Sequence, residues 1–230
     1  MIIAKFVLSI FQQNSRIVAC EKTGRAIAID PGADSSEMVE LIRDKGWELQ
    51  AVALTHGHLD HVGGTKFLEA AFPEAEVILH KDDEDLYYEL PQQPLMMGLP
   101  QVQLSALGLD YEQPPMLTRN WEHGERYEVG ELVFDVYHCP GHTRGHIVLA
   151  EKNEKMVFVG DCLFAGSIGR TDLPGGDYDQ LMNSINENII SLGDDFIVYS
   201  GHGPETTVGD ERQNNPFLNG TYALGRGRYV

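Results

Sequence analysis

The stretch Thr55-His56-Gly57-His58-Leu59-Asp60-His61 places three imidazoles and one carboxylate within six residues. Residues 51–54 just before it, Ala-Val-Ala-Leu, have the pattern of a short buried strand. The glycine inside the stretch makes it a tight loop at the end of that strand. In an extended turn His56 and His58 point to the same side, and Asp60 and His61 reach a neighbouring point, so the loop could feed two adjacent metals. Imidazole and carboxylate are ligands that suit Zn²⁺ or Fe²⁺.

Three further segments repeat the setting. Pro140-Gly141-His142-Thr143 follows the strand pattern of 132–137, Gly160-Asp161 follows 156–159, and Gly201-His202-Gly203-Pro204 follows 196–199. Each puts one ligand-type side chain in a turn just past a strand, and loops at one end of a sheet meet in space. Between these segments run helical patterns. Ser35 or Ser36 caps a helix with Met38, Leu41 and Ile42 on one face. A second helix follows Gly63-Gly64, with Phe67, Leu68 and Ala71 facing inward. A third runs over 178–192, with Leu181, Ile185, Ile189 and Leu192 at helical spacing. Strands and helices in this order predict an α/β chain whose sheets are covered by helices.

Residues 82–126, with Tyr87, Tyr88, Met96 and Met97, are rich in Pro, Gln, Met and acidic residues and show little periodicity. They read as an irregular insert or lid. The chain after residue 204 reads as a short polar tail rich in Gly and Arg. With 230 residues, 42% of them hydrophobic, a single domain over 1–230 is the expectation.

Charge narrows the partners. Lys and Arg total 17 against 35 Asp and Glu, a net charge of −18, which repels phosphate backbones and argues against nucleic acid. No apolar run reaches the roughly 18 residues a membrane helix needs, and the apolar start lacks the marks of a signal peptide. The three cysteines, Cys20, Cys139 and Cys162, are odd in number and widely spaced, which suggests reduced thiols and a cytoplasmic protein.

Taken together, the HxHxDH motif, the later single His, the Asp and the final GHG resemble the metallo-β-lactamase superfamily. Pro140 to His146 (PGHTRGH) and Gly166 to Asp177 (GSIGRTDLPGGD) are closer still to the glyoxalase II-like, hydroxyacylglutathione hydrolase-type hydrolases. The resemblance covers residues 6–204. It implies a four-layer αββα sandwich and two divalent metal ions, zinc first, with iron or manganese as the other choices. One ion would be held by His56, His58 and His142, the other by Asp60, His61 and His202, with Asp161 bridging. Asp60 would also orient the attacking hydroxide. The implied substrate is a small-molecule thioester such as S-D-lactoylglutathione. Only 28 residues, 203–230, follow His202, so the chain resembles the compact bacterial kind without a C-terminal helical domain. A persulfide dioxygenase with one iron, and a metallohydrolase of another ester or lactone, are the alternatives. Arg170 is a candidate for a substrate carboxylate, or it pins its own loop through Asp172. His80 and His138 read as structural, His123 as a surface residue, and His146 as hydrogen-bonded to a loop near the metals.

Overall fold

The computed structural model describes residues 1–96 and 98–221. Met97 and the last residues of the expected tail, 222–230, lie outside the described residues. The first half of the chain builds β1 (Ile2–Leu8), β2 (Gln13–Ala19), β3 (Arg25–Ile29), α1 (Ser36–Lys45), β4 (Glu48–Ala53), α2 (Leu59–Val62), α3 (Thr65–Ala71) and β5 (Glu76–His80). Then come α4 (Glu84–Tyr88), α5 (Gln93–Met96), α6 (Gln101–Leu107) and β6 (Arg119–Trp121). The second half builds β7 (Arg126–Val129), β8 (Leu132–His138), β9 (Ile147–Glu151), β10 (Met156–Gly160), β11 (Leu163–Phe164) and β12 (Ser167–Ile168). It ends with α7 (Tyr178–Asn188), β13 (Ile197–Ser200), β14 (Thr206–Thr207) and α8 (Val208–Asn214).

Two six-stranded sheets result, in the orders β1-β2-β3-β4-β5-β6 and β14-β13-β10-β9-β8-β7. Strands β3 to β6 pair in parallel, as do β10 and β13, and β8 runs the same way as β10 because both are antiparallel to β9. The loops after β3, β4 and β5 therefore share one end of the first sheet, and those after β8, β10 and β13 share one end of the second.

Side-chain alternation sets the layers. In β2 and β3, Ile17, Ala19, Ala26 and Ala28 point to the helix side, while Val18, Ile27 and Ile29 point to the other sheet. In β9 and β10, Ile147, Leu149 and Phe158 face the first sheet, while Val148, Ala150, Val157 and Val159 face α7 through Leu181 and Ile185. Strands apolar on both faces belong between two covering layers. Three apolar cores separate four layers, helix, sheet, sheet, helix, which is the αββα sandwich.

Several expectations are met and others corrected. Ser35 caps α1, its side chain accepting from the Met38 N–H. The helix expected over 178–192 is α7, followed by a 3₁₀ turn at Ile190–Leu192. Phe67 does not face inward: it is 36% exposed, while Leu68 is buried. It borders a cavity of about 680 Å³ also lined by Lys66, Leu90, Tyr111 and Pro114. The stretch 82–126 is irregular only in part, with no helix or strand over 109–117. It folds as α4 to α6 and the edge strand β6, with Tyr87, Leu90, Leu104 and Leu109 buried in the helix-side core of the first sheet. The polar tail carries α8, capped by Thr207 on the Asp210 N–H.

Phe158 lies between the sheets, stacked on Tyr199 at 5.0 Å and facing Phe134. Phe158→Ala should cost about 3–5 kcal/mol by the transfer and cavity terms. Chemical denaturation checks this, and a loss below about 1 kcal/mol would mean that the two sheets are not locked together there.

Candidate metal centre

Both sheets deliver their loops to one place. His56 and His58 follow β4, and Asp60 and His61 sit on the one-turn α2. His142 follows β8, Asp161 follows β10, and His202 follows β13. All seven residues expected from sequence converge. Three groups of donor atoms lie within 4.8 Å of one another: His56, His58 and His142; His56, His61 and Asp161; and Asp60, His61 and His202. His58 Nδ1 is 2.9 Å from His142 Nε2, His202 Nε2 is 3.1 Å from Asp60 Oδ2, and the Asp161 carboxylate lies 3.2 Å from His61 and 3.6 Å from His202.

The far nitrogens explain the aim of the rings. His61 Nδ1 donates to Asp30 Oδ2 at 2.9 Å, His142 Nδ1 to the Arg170 carbonyl at 2.8 Å, and His202 Nδ1 to the Phe11 carbonyl at 3.1 Å. His56 Nδ1 meets Thr55 Oγ1, which itself donates to Asp30. With one nitrogen committed, each ring turns its Nε2 inward, the arrangement that outer partners impose on metal-binding imidazoles.

Charge divides the cluster in two. Burial, with the neighbouring imidazoles, holds His56 well below its ordinary pKa and pushes His58 down to about 3. On the other side burial is overcome: Asp161 and Asp30 hold His61 well above its ordinary pKa, and the bond that His202 donates to Asp60 raises His202. His56 Nε2 is buried without a hydrogen-bond partner, although such atoms are normally paired, while His61 Nε2 and Asp161 Oδ1 are buried and face each other at 3.2 Å. Inward lone pairs and adjacent carboxylates are the environment a divalent cation satisfies, and it would take the place of the proton on His61. The residues present therefore fit the group.

Three residues at the centre escaped the sequence reading. Asp30 opens the Asp30-Pro31-Gly32 segment that follows β3. It holds Thr55 N and Oγ1, each at 2.7 Å, as well as His61, from a left-handed backbone with φ 48° that is sparsely populated outside glycine. Asp83 accepts from Gly57 N, Thr143 Oγ1 and Gly145 N, while its burial raises its pKa. Gln93, from the insert, donates to the Gly57 carbonyl and accepts from Leu59 N. For Asp30 the available signal was a lone acid closing an apolar run, whereas Asp83, inside the acidic run 82–85, and Gln93, beside Gln92, carried none.

The remaining candidates fall outside the cluster's donors. The Arg170 guanidinium makes two 2.8 Å bonds to Asp172, so its side chain pins the loop and its carbonyl serves His142. His146 stacks on His56 at 4.7 Å and accepts the Asp161 N–H. His80, Asp82 and His138 form another group with donors close together. The rings of His80 and His138 lie parallel at 4.1 Å, whereas an ion binds in the plane of each imidazole, so this pair is a stack.

Residues 9–202 match the metallo-beta-lactamase superfamily. The chain belongs to that superfamily. It is 38% identical to the hydroxyacylglutathione hydrolase GloC of Haemophilus influenzae, over 91% of this chain and 94% of that protein. Among solved structures, TTHA1623 in a di-iron-bound form is 35% identical, with a TM-score of 0.81 and coverage of 94% of this chain and 100% of that one. The BLEG-1 B3 metallo-beta-lactamase is 31% identical, with a TM-score of 0.82 and coverage of 94% and 99%.

Acid should destabilise the His80–His138 stack. Burial and the His138 charge, with Lys81, lower the pKa of His80 against the opposing pull of Asp82 and Glu122. Below about pH 6.5 the unfolded chain takes up a proton that the folded chain refuses, so stability falls as pH falls. Melting after chelation should drop more between pH 7 and 5.5 for the parent than for His80→Asn. Parallel curves would remove the stack as a contributor.

Proposed function

We propose that this chain is a binuclear metallohydrolase that cleaves small-molecule thioesters of the S-D-lactoylglutathione type. The observation that carries the reading is the convergence of five inward-turned imidazoles with Asp60 and Asp161, with His56 Nε2 buried there and unpaired. The likeness to GloC supports the thioester, and the di-iron form of TTHA1623 supports iron beside zinc as an occupant.

His56, His58 and His142 would hold one ion, Asp60, His61 and His202 the other, with Asp161 between them. Divalent cations there would polarise a scissile carbonyl and lower the pKa of water to about 7. The chain's own residues do the rest. Asp60, held by His202, points an acceptor oxygen into the centre and orients an attacking water. Asp30 and the Arg170 and Phe11 carbonyls keep the imidazoles from turning away during the reaction. A thiolate leaves without help from an acid, which suits a centre whose carboxylates are already engaged. The acidic surface favours a free small molecule over a nucleic acid partner. Residence in the reducing cytoplasm fits the free, buried Cys20, Cys139 and Cys162. Among the described residues no helix is long and apolar enough to cross a membrane.

Metal analysis and an S-D-lactoylglutathione assay on the same preparation test the reading. Two ions per chain with cleavage are expected, and His58→Ala should lose an ion and at least about 100-fold in kcat/KM. One iron per chain, with oxygen uptake on glutathione persulfide and no thioester cleavage, would replace this reading with a dioxygenase.

A further inference from the structure

The turn at residues 81–83 is wedged between two of the converging loops. Asp83, 2% exposed, accepts three hydrogen bonds through one carboxylate: from Gly57 N at 3.0 Å, Thr143 Oγ1 at 2.6 Å and Gly145 N at 2.6 Å. Gly57 lies between His56 and His58, and Thr143 follows His142. One side chain therefore spans the two segments that carry the first donor group, and it makes no bond to Asp60, His61, Asp161 or His202 among the described contacts. The approach is close enough to dictate sequence. A Cβ on Gly145 would stand 2.6 Å from Asp83 N, and one on Gly57 would stand 3.1 Å from the Asp83 carbonyl oxygen. The glycines of HGH and TRGH are thus the space that the Asp83 turn fills. The second donor group is supported differently, since Asp30 bonds directly to His61, and Asp30 reaches the first group only through Thr55 Oγ1 beside His56.

We propose that Asp83 is a positioning residue dedicated to one ion of the pair: it fixes the spacing of His56 and His58 against His142, and its loss empties that position while the position of Asp60, His61 and His202 stays filled. The inference rests on the metallohydrolase reading above. Its physical basis is the donors left behind. In Asp83→Asn one carboxylate oxygen becomes an NH₂ group facing N–H or O–H donors that it cannot accept. The two loops then separate, and His142 leaves its place opposite His58. His61 keeps its own carboxylate and is untouched.

The test is zinc stoichiometry and affinity, measured by competition with a chelator on the parent and on Asp83→Asn, with melting temperature recorded alongside. The parent should hold two ions. Asp83→Asn should hold one tightly, with the affinity for the other reduced about 10–100-fold. The backgrounds His142→Ala and His202→Ala identify the ion. Adding Asp83→Asn should leave the remaining ion of His142→Ala unchanged and release that of His202→Ala. Thr143→Val removes one bond of the three and covers the case in which Asp83→Asn does not fold. It should weaken the same single ion several-fold. Equal weakening of both ions, or none, in a parent that holds two would overturn this proposal and leave the metallohydrolase standing. A parent that never holds two ions would overturn both.

Discussion

Gathering a knot of imidazoles and carboxylates inside an apolar frame is the constraint around which this chain is built. His56, His61 and Asp161 are buried, and a buried polar group without a partner costs about 1–3 kcal/mol. Few local structures bring five rings and two carboxylates together. Parallel strand ends do, because each turns over without crossing the core: β4 delivers four donors through its loop and α2, and β8, β10 and β13 deliver one each. The two sheets, packed through Val18, Ile27, Ile29, Phe134 and Phe158, hold six such ends in fixed relation. The apolar layers provide the stability that the polar centre lacks.

The electrostatic division follows from that construction. The first group is imidazole only, and burial lowers the pKa of His56 and His58. The second is mixed with Asp60, Asp161 and Asp30, and these carboxylates raise the pKa of His61 and His202. The two halves therefore offer different environments to the ions they would take: one rich in nitrogen donors, the other of nitrogen and carboxylate oxygen. The supporting carboxylates are shared unequally: Asp83 serves the first half alone, while Asp30 holds His61 of the second and, through Thr55, His56 of the first.

Much of this was legible in the sequence. The seven donor residues stand out because each sits beside a glycine-bearing turn that ends an apolar run, a local signal. The four-layer sandwich was legible through the superfamily resemblance, and its helix-covered strands through the apolar runs. What sequence concealed was long-range. Nothing local marks Asp30 or Asp83 as part of the centre, since their partners Thr55, His61, Thr143 and Gly145 are 25 to 62 residues away. The helices of the insert are too short for a 3.6-residue period to declare itself: α4 has 5 residues and α5 has 4. Phe67 had the right spacing for an inward face, yet α3 has only 7 residues and buries the Leu68 side, which leaves the next ring at the edge of a cavity. Helix α8 was announced by a capping threonine at 207 and lost in polar composition.

The imidazoles of His142 and His202 take their orientation from peptide carbonyls, those of Arg170 and Phe11. A carbonyl is the same atom whatever residue bears it. At these two places inheritance therefore preserves the path of the backbone and leaves the side chain free to drift. Relatives could differ at 11 and 170 and still present both rings identically, whereas a one-residue change in the length of the hairpin between β1 and β2 would move the carbonyl away and turn the ring with it. Alignments that score identity would miss this form of constraint, and it would surface only as an intolerance of insertions and deletions.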